Sequence, residues 1–138
     1  MQLDFTLTTP GLFEVEKMFD LSLKYDAVII SKVCFAFSPD IMMAPMCLPA
    51  KILHRKVDEI LAKIEHKATW RQKGMIDMLK QLKNRPTFEE QWPNEYAVGF
   101  MKGRSRIRSL EKIRTQKTTF DKIMAKDKEM SEWWNREI

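Results

Sequence analysis

The chain has 138 residues, of which 44% are hydrophobic and 31% are charged, and it carries a formal net charge of +5. This length suits one domain over residues 1–138, and the composition excludes a disordered tail, a collagen-like fibre and a membrane span. Four glycines and six prolines are too few for an all-β fold with many tight turns, so the composition favours a mostly helical domain of the α/β to α+β class.

The first 48 residues have the pattern of a strand–helix–strand unit. Apolar and polar residues alternate over residues 2–8, which predicts a half-buried strand. Thr9 precedes Pro10-Gly11 and is expected to cap a helix over residues 11–25. Residues 27–37 are apolar and rich in β-branched side chains, which predicts a strand buried on both faces. A strand, a helix and a strand at this spacing form a βαβ unit with parallel strands.

This predicted sheet is incomplete. Two parallel strands cannot cover their own faces and edges, and parallel sheets normally contain more strands. We therefore expect either additional sheet elsewhere or docking of the pair against the helices and a complementary chain.

Residues 49–138 form a basic helical region, which residues 38–49 join to the βαβ unit as a connection rich in methionine and proline. Pro49 opens a helix with one apolar stripe. The members of that stripe are Leu53, Val57, Ile60, Leu61 and Ile64. A second helix is predicted to begin near Thr69 and to end before Pro86. Its expected buried side consists of Trp70, Ile76, Leu79 and Leu82.

The remaining sequence predicts a short turn and then helix to residue 136. Thr87 and Glu90 have the spacing of a capping box, and Pro93 limits the element that follows it. Residues 94–136 have helical propensity, with a division at Thr118-Thr119 and a mostly solvated stretch at 121–128. Side chains available for packing are Val98, Ile107, Leu110, Ile113, Phe120, Ile123 and Met130. Trp133 and Trp134 are expected to dock the tail, since exposing both is costly.

The sequence offers no constellation for catalysis or for a metal or cofactor. Glycine-rich phosphate loops are absent, and His54 and His66 lie more than two turns apart on one helix. Cys34 and Cys47 lack the spacing of a CxxC knuckle. The sequence therefore leaves enzyme activity undecided and does not favour it for the chain in isolation. The cysteine usage, with no visible signal peptide, favours a cytoplasmic protein without membrane contact.

Positive charge concentrates in the C-terminal part of the chain. Residues 1–50 carry three basic and six acidic side chains, whereas the remainder carries 21 basic and 13 acidic ones. The densest cluster, residues 102–117, has one acid, Glu111. Its basic members are Lys102, Arg104, Arg106, Arg108, Lys112, Arg114 and Lys117. On a helix Arg104 and Arg108 share a stripe that Lys112 extends, and arginines four residues apart can bind successive phosphates.

Three interpretations of this basic helix remain open. Nucleic acid is one partner, because guanidinium groups pair with phosphate oxygens. An acidic protein surface is a second partner, and a merely solvated face is the third interpretation. No aromatic residue lies between the basic residues of the helix, so the helix itself gives no indication of base stacking.

Residues 3–33 (LDFTLTTPGLFEVEKMFDLSLKYDAVIISKV), followed by a proline-rich loop ending in CLPAKIL, resemble the C-terminal half of radical S-adenosylmethionine enzymes. The phage- and bacterium-encoded twitch-type members are the most similar, including the string KATWRQKGMIDMLKQLKNRPTFEEQWP at residues 67–93. The resemblance covers most of the chain. It implies that the two strands are late strands of a partial barrel and that residues 38–49 lead into appended helices.

This chain departs from that family in its cysteines. The family's chemistry needs a CxxxCxxC loop to hold an iron–sulfur cluster, and this chain has two cysteines in all. The resemblance therefore implies a non-catalytic domain or subunit that binds a partner macromolecule. The alternative is a small stand-alone protein, phage-encoded for example, that binds nucleic acid or a host protein through residues 102–117.

Overall fold

A computed structural model describes residues 1–34, 41–114 and 118–137 and gives a helical protein with a small N-terminal sheet. The sheet has two parallel strands, β1 (Gln2–Leu7) and β2 (Val28–Val33), with Gln2 opposite Val28. A 3-10 turn (Pro10–Phe13) and helix α1 (Val15–Tyr25) connect them. The βαβ unit followed by helices is confirmed. The predicted continuation of the second strand through residues 35–37 lies outside the described residues.

Thr9 stands at the N-cap position of the 3-10 turn with Pro10 after it, as expected, but its side chain makes no capping hydrogen bond, and α1 begins at Val15 instead of residue 11. Its hydroxyl donates instead to the carbonyl oxygen of Ala44 (3.1 Å), and its main-chain N–H donates to the carbonyl oxygen of Met43 (2.9 Å). Thr9 is fully buried, so these bonds satisfy polar groups that water cannot reach. They tie the end of β1 to two 3-10 turns, Ile41–Met43 and Pro45–Cys47.

The second strand is buried on one face only, which corrects the expectation of burial on both. Ile29 is 2% exposed on the core side, whereas Ile30 on the other side is 41% exposed. Lys32 is also exposed. Leu3 and Phe5 of β1 face the same side as Ile29, because the parallel register places Leu3 opposite Ile29.

Helices α2 (Ala50–Ile64) and α3 (Lys73–Lys83) form the next layer. Pro49 precedes α2, and all five residues of its predicted apolar stripe are buried, so periodicity alone located this helix correctly. Ile76, Leu79 and Leu82 of α3 are buried as expected.

Trp70 was placed wrongly on the buried side of α3. It lies before the helix and is 67% exposed. The buried side chain at this point is Gln72, whose Oε1 accepts the N–H of Thr69 (2.8 Å) and whose Nε2 donates to Ser22 Oγ (2.9 Å). A polar side chain with satisfied hydrogen bonds therefore occupies the interior in place of the indole.

The C-terminal part contains four helices among the described residues: α4 (Phe88–Gln91), α5 (Pro93–Ile113), α6 (Phe120–Met124) and α7 (Lys128–Asn135). The capping box of Thr87 and Glu90 is confirmed. Thr119 caps α6, which confirms the division predicted at Thr118-Thr119.

The aromatic tail is buried, and α5 leaves two apolar side chains outside the core. Trp133 is 4% exposed and Trp134 is 0% exposed, so the docking of the tail is confirmed. Val98 and Ile113, in contrast, are 47% and 80% exposed, which contradicts their assignment to packing. One cluster of buried hydrophobic side chains runs from β1 to α7. Among the described helices, none has the length and apolar composition that crossing a bilayer requires.

Candidate functional site

The basic residues predicted as a binding site differ in their exposure to solvent. Arg104 and Arg108 are half-buried and face the C-terminal segment of the chain. The others that the structure describes, Lys102, Arg106, Lys112 and Arg114, are exposed. Lys117 lies outside the described residues.

Arg104 anchors the tail. Its Nη1 donates to the carbonyl oxygens of Trp134 (2.9 Å) and Arg136 (2.6 Å). The guanidinium carbon lies 5.0 Å from the centre of the Phe100 ring. Burial, with the nearby charges of Arg108 and Arg136, lowers the pKa of Arg104 from its usual value. These two carbonyl groups occupy the Nη1 donors of Arg104.

Arg108, one helical turn after Arg104, also contacts the C-terminal segment of the chain. Its Nη2 lies 3.3 Å from Asp121 Oδ1 and 3.1 Å from Asn135 Oδ1, and its guanidinium carbon is 5.4 Å from the Trp134 ring. The shared stripe of Arg104 and Arg108 predicted from their spacing is therefore present, and its partner in the structure is the chain's own α6–α7 segment.

We expect Arg104→Ala to lower the free energy of unfolding by about 2 kcal/mol, because two hydrogen bonds from a charged donor to buried carbonyl groups are lost. Lys102→Ala, on the exposed side of the same helix, should change it by less than about 0.5 kcal/mol. Urea denaturation of both variants measures the difference. Equal effects would contradict the anchoring role.

The exposed side of α5 is cationic from Lys102 to the end of the helix. Glu111 is the only acid between residues 98 and 114. Its carboxylate accepts the main-chain N–H of Phe120 (2.7 Å), which directs it toward α6. Lys102, Lys112 and Arg114 therefore face solvent without an acidic residue of α5 beside them.

The parallel pair has an open edge on β1. Val28 N–H donates to Met1 O (3.2 Å) and Cys34 N–H donates to Leu7 O (2.9 Å), so odd-numbered residues of β1 turn their main-chain groups toward β2. The main-chain groups of Gln2, Asp4 and Thr6 consequently point away from β2. All three residues are exposed, and no main-chain partner covers this edge among the described residues.

The outer edge of β2 is partly occupied. The N–H of Ile29 donates to the carbonyl oxygen of Arg71 (3.1 Å), and α3 packs beside the strand. The edge of the sheet on β1 therefore has a free row of donors and acceptors. The edge on β2 is partly covered by the loop before α3.

The cysteines and histidines do not assemble into a metal site within the part of the chain that the structure describes. Cys47 is fully buried, and burial raises the pKa of its thiol to about 12. Its Sγ lies 3.5 Å from the hydroxyl of Thr9. At neutral pH Cys47 is a protonated core residue, whereas iron and zinc bind the thiolate.

The exposed Trp70 was not predicted from the sequence. Its neighbours in the sequence, His66, Lys67, Arg71 and Lys73, are basic or titratable. An aromatic residue within a basic string is the signal that would have separated Trp70 from the buried stripe of α3.

Comparison with known proteins finds no matching family, no matching curated protein and no matching solved structure.

Proposed function

We propose that this chain is a non-catalytic unit that binds a partner macromolecule, and that the partner extends its sheet by adding a strand to β1. The observation that supports the proposal is the free row of main-chain groups at Gln2, Asp4 and Thr6 beside a parallel pair of only two strands. A two-stranded sheet gains stability when another strand pairs with it, and strand addition is a common mode of recognition.

The exposed face of the sheet supports the same proposal. Parallel sheets are normally covered on both faces, yet Ile30 is 41% exposed on the face away from the core. A partner that adds a strand at β1 and covers this face would bury both features together.

The partner in this proposal is a cluster-bearing chain, or part of a longer polypeptide, of the radical S-adenosylmethionine type. The resemblance of residues 3–33 and 67–93 to the C-terminal half of such proteins motivates this choice. This chain has two cysteines, fewer than a CxxxCxxC loop needs, so in this proposal the partner supplies the cluster-binding loop. This chain would then contribute sheet and helices and would contact no reacting atom.

Co-expression with a CxxxCxxC-containing chain from the same genome tests this function. A stable 1:1 complex in gel filtration with light scattering, in which the amides of Asp4 and Thr6 become protected from hydrogen exchange, is the expected result. Failure to form a complex, or a complex that leaves these amides unprotected, would overturn it.

The cationic side of α5 supports a second candidate function, binding of nucleic acid. Lys102 and Lys112 are exposed and nearly three turns apart, so both can approach one phosphate backbone. This candidate rests on surface charge, whereas the sheet proposal rests on unpaired main-chain groups.

For this candidate we expect the double variant Lys102→Glu/Lys112→Glu to bind a 20-base-pair duplex at least tenfold more weakly at low salt. The slope of log K against log salt concentration is negative, and it should become less steep by about 2. The control Lys17→Glu/Lys51→Glu carries the same charge change on exposed residues outside α5. Equal weakening by both variants would leave net charge as the explanation and reject α5 as the site.

A further inference from the structure

Trp70 is a large aromatic side chain held in solvent. It lies in the connection between the 3-10 turn Glu65–Lys67 and α3, and it is 67% exposed, compared with 51% for Tyr25 and 43% for Trp92. Exposing this much indole to water is unfavourable, so a ligand that covers the ring gains binding free energy.

Hydrogen bonds fix the loop that carries Trp70. The N–H and the hydroxyl of Thr69 both donate to Gln72 Oε1 at 2.8 Å, and Gln72 Nε2 donates to Ser22 Oγ on α1. The carbonyl oxygen of Arg71 accepts the N–H of Ile29. The loop is therefore joined to both α1 and β2, and it presents the indole without the entropy cost of ordering a free segment.

The ring has a cation on one side and a groove beside it. The guanidinium carbon of Arg71 lies 4.7 Å from the centre of the indole. Ala68, Ile76 and Trp70 contribute the apolar part of an open groove of about 580 Å³. A flat aromatic ligand can stack on the exposed area of the indole while Arg71 remains within reach of a charged group attached to that ligand.

The charged side chains that line the groove are paired with one another. Two acids line it, and each has a lysine partner: Lys80 Nζ lies 2.7 Å from Glu65 Oε1, and Lys73 Nζ lies 2.9 Å from Asp77 Oδ2. After these pairs are formed, Arg71 remains as the cation beside the indole.

From these observations we infer that Trp70 is a stacking platform for the bases of single-stranded nucleic acid, with Arg71 contacting the phosphate of the stacked nucleotide. Aromatic side chains bind unpaired bases by stacking, and cations beside them bind the backbone. A duplex keeps its bases stacked on each other and offers none to Trp70. The site is separate from the sheet edge and from α5, so a negative result for it would leave the proposed function unaffected.

Fluorescence anisotropy with a fluorescein-labelled 12-mer of deoxythymidine tests this site. The unmodified chain should bind the oligonucleotide at low salt, and Trp70→Ala should weaken binding about 5-fold to 150-fold, the range expected for loss of one stacked base. Trp70→Phe should retain part of the affinity, because a smaller ring still stacks. Tyr25→Ala, which removes another exposed aromatic residue, should bind as the unmodified chain does.

Three results would overturn the inference: no binding of the 12-mer at low salt, equal binding by Trp70→Ala, or an equal loss with Tyr25→Ala. No binding would instead assign the exposed indole to a protein contact. The Lys102→Glu/Lys112→Glu variant separates the two nucleic-acid surfaces, because α5 would affect duplex binding and Trp70→Ala should affect only the single strand.

Discussion

Trp134→Ala is expected to lower the free energy of unfolding by about 3–5 kcal/mol, much of the stability of a domain of this size. Trp134 is fully buried and lies 4.3 Å from Phe120 and 6.4 Å from Phe100, measured between ring centres. Its indole N–H donates to Asp121, and its carbonyl oxygen accepts from Arg104. Removing it leaves a cavity where α5, α6 and α7 meet.

Thermal unfolding followed by circular dichroism measures this effect, and we expect the midpoint to fall by about 10–20 °C. Trp134→Phe is the matched control, because it keeps an aromatic ring and loses the hydrogen bond to Asp121. Its midpoint should lie between those of the unmodified chain and Trp134→Ala. A midpoint for Trp134→Ala within about 2 °C of the unmodified chain would show that the tail does not contribute to the core.

Asp4→Pro is expected to weaken the complex with a cluster-bearing partner by at least about 100-fold and to leave the isolated chain folded. The N–H of Asp4 points away from β2, so proline there removes no bond of the β1–β2 ladder. Proline is tolerated on an edge strand when its missing N–H would face solvent. A strand added to β1 would meet the ring of proline and lose a donor.

Two controls separate the strand edge from other causes. Asp4→Ala removes the carboxylate and keeps the N–H, so it should bind the partner within a few-fold of the unmodified chain. Phe5→Pro removes an N–H that faces β2 and should unfold the sheet. Titration calorimetry of the complex and melting of the free chain give both readouts. Unchanged affinity for Asp4→Pro would exclude strand addition at β1.

Local patterns in the sequence located most of the secondary structure. The apolar stripe from Leu53 to Ile64 is buried as its spacing requires, because one helix face must leave water. The capping box at Thr87 and the division at Thr118-Thr119 were also predicted from the sequence, since each depends on residues within three positions.

The errors came from partners that are distant in the sequence. Gln72 displaces Trp70 from the interior because Ser22, 50 residues away, offers it a hydrogen bond. Arg104 and Arg108 were expected to face a ligand, and they bind carbonyl and side-chain oxygens at residues 121–136. Periodicity places such side chains on a face of a helix, and tertiary packing decides what that face meets.

Hydrogen exchange of individual amides, measured by NMR with and without the partner, tests the open edge of β1 most directly. In the free chain Asp4 and Thr6 should exchange rapidly while Leu3 and Phe5, bonded to β2, exchange slowly. Addition of the cluster-bearing partner should slow Asp4 and Thr6 to the level of their neighbours. Slow exchange of Asp4 and Thr6 in the free chain, or rapid exchange in the complex, would contradict partner binding through this edge.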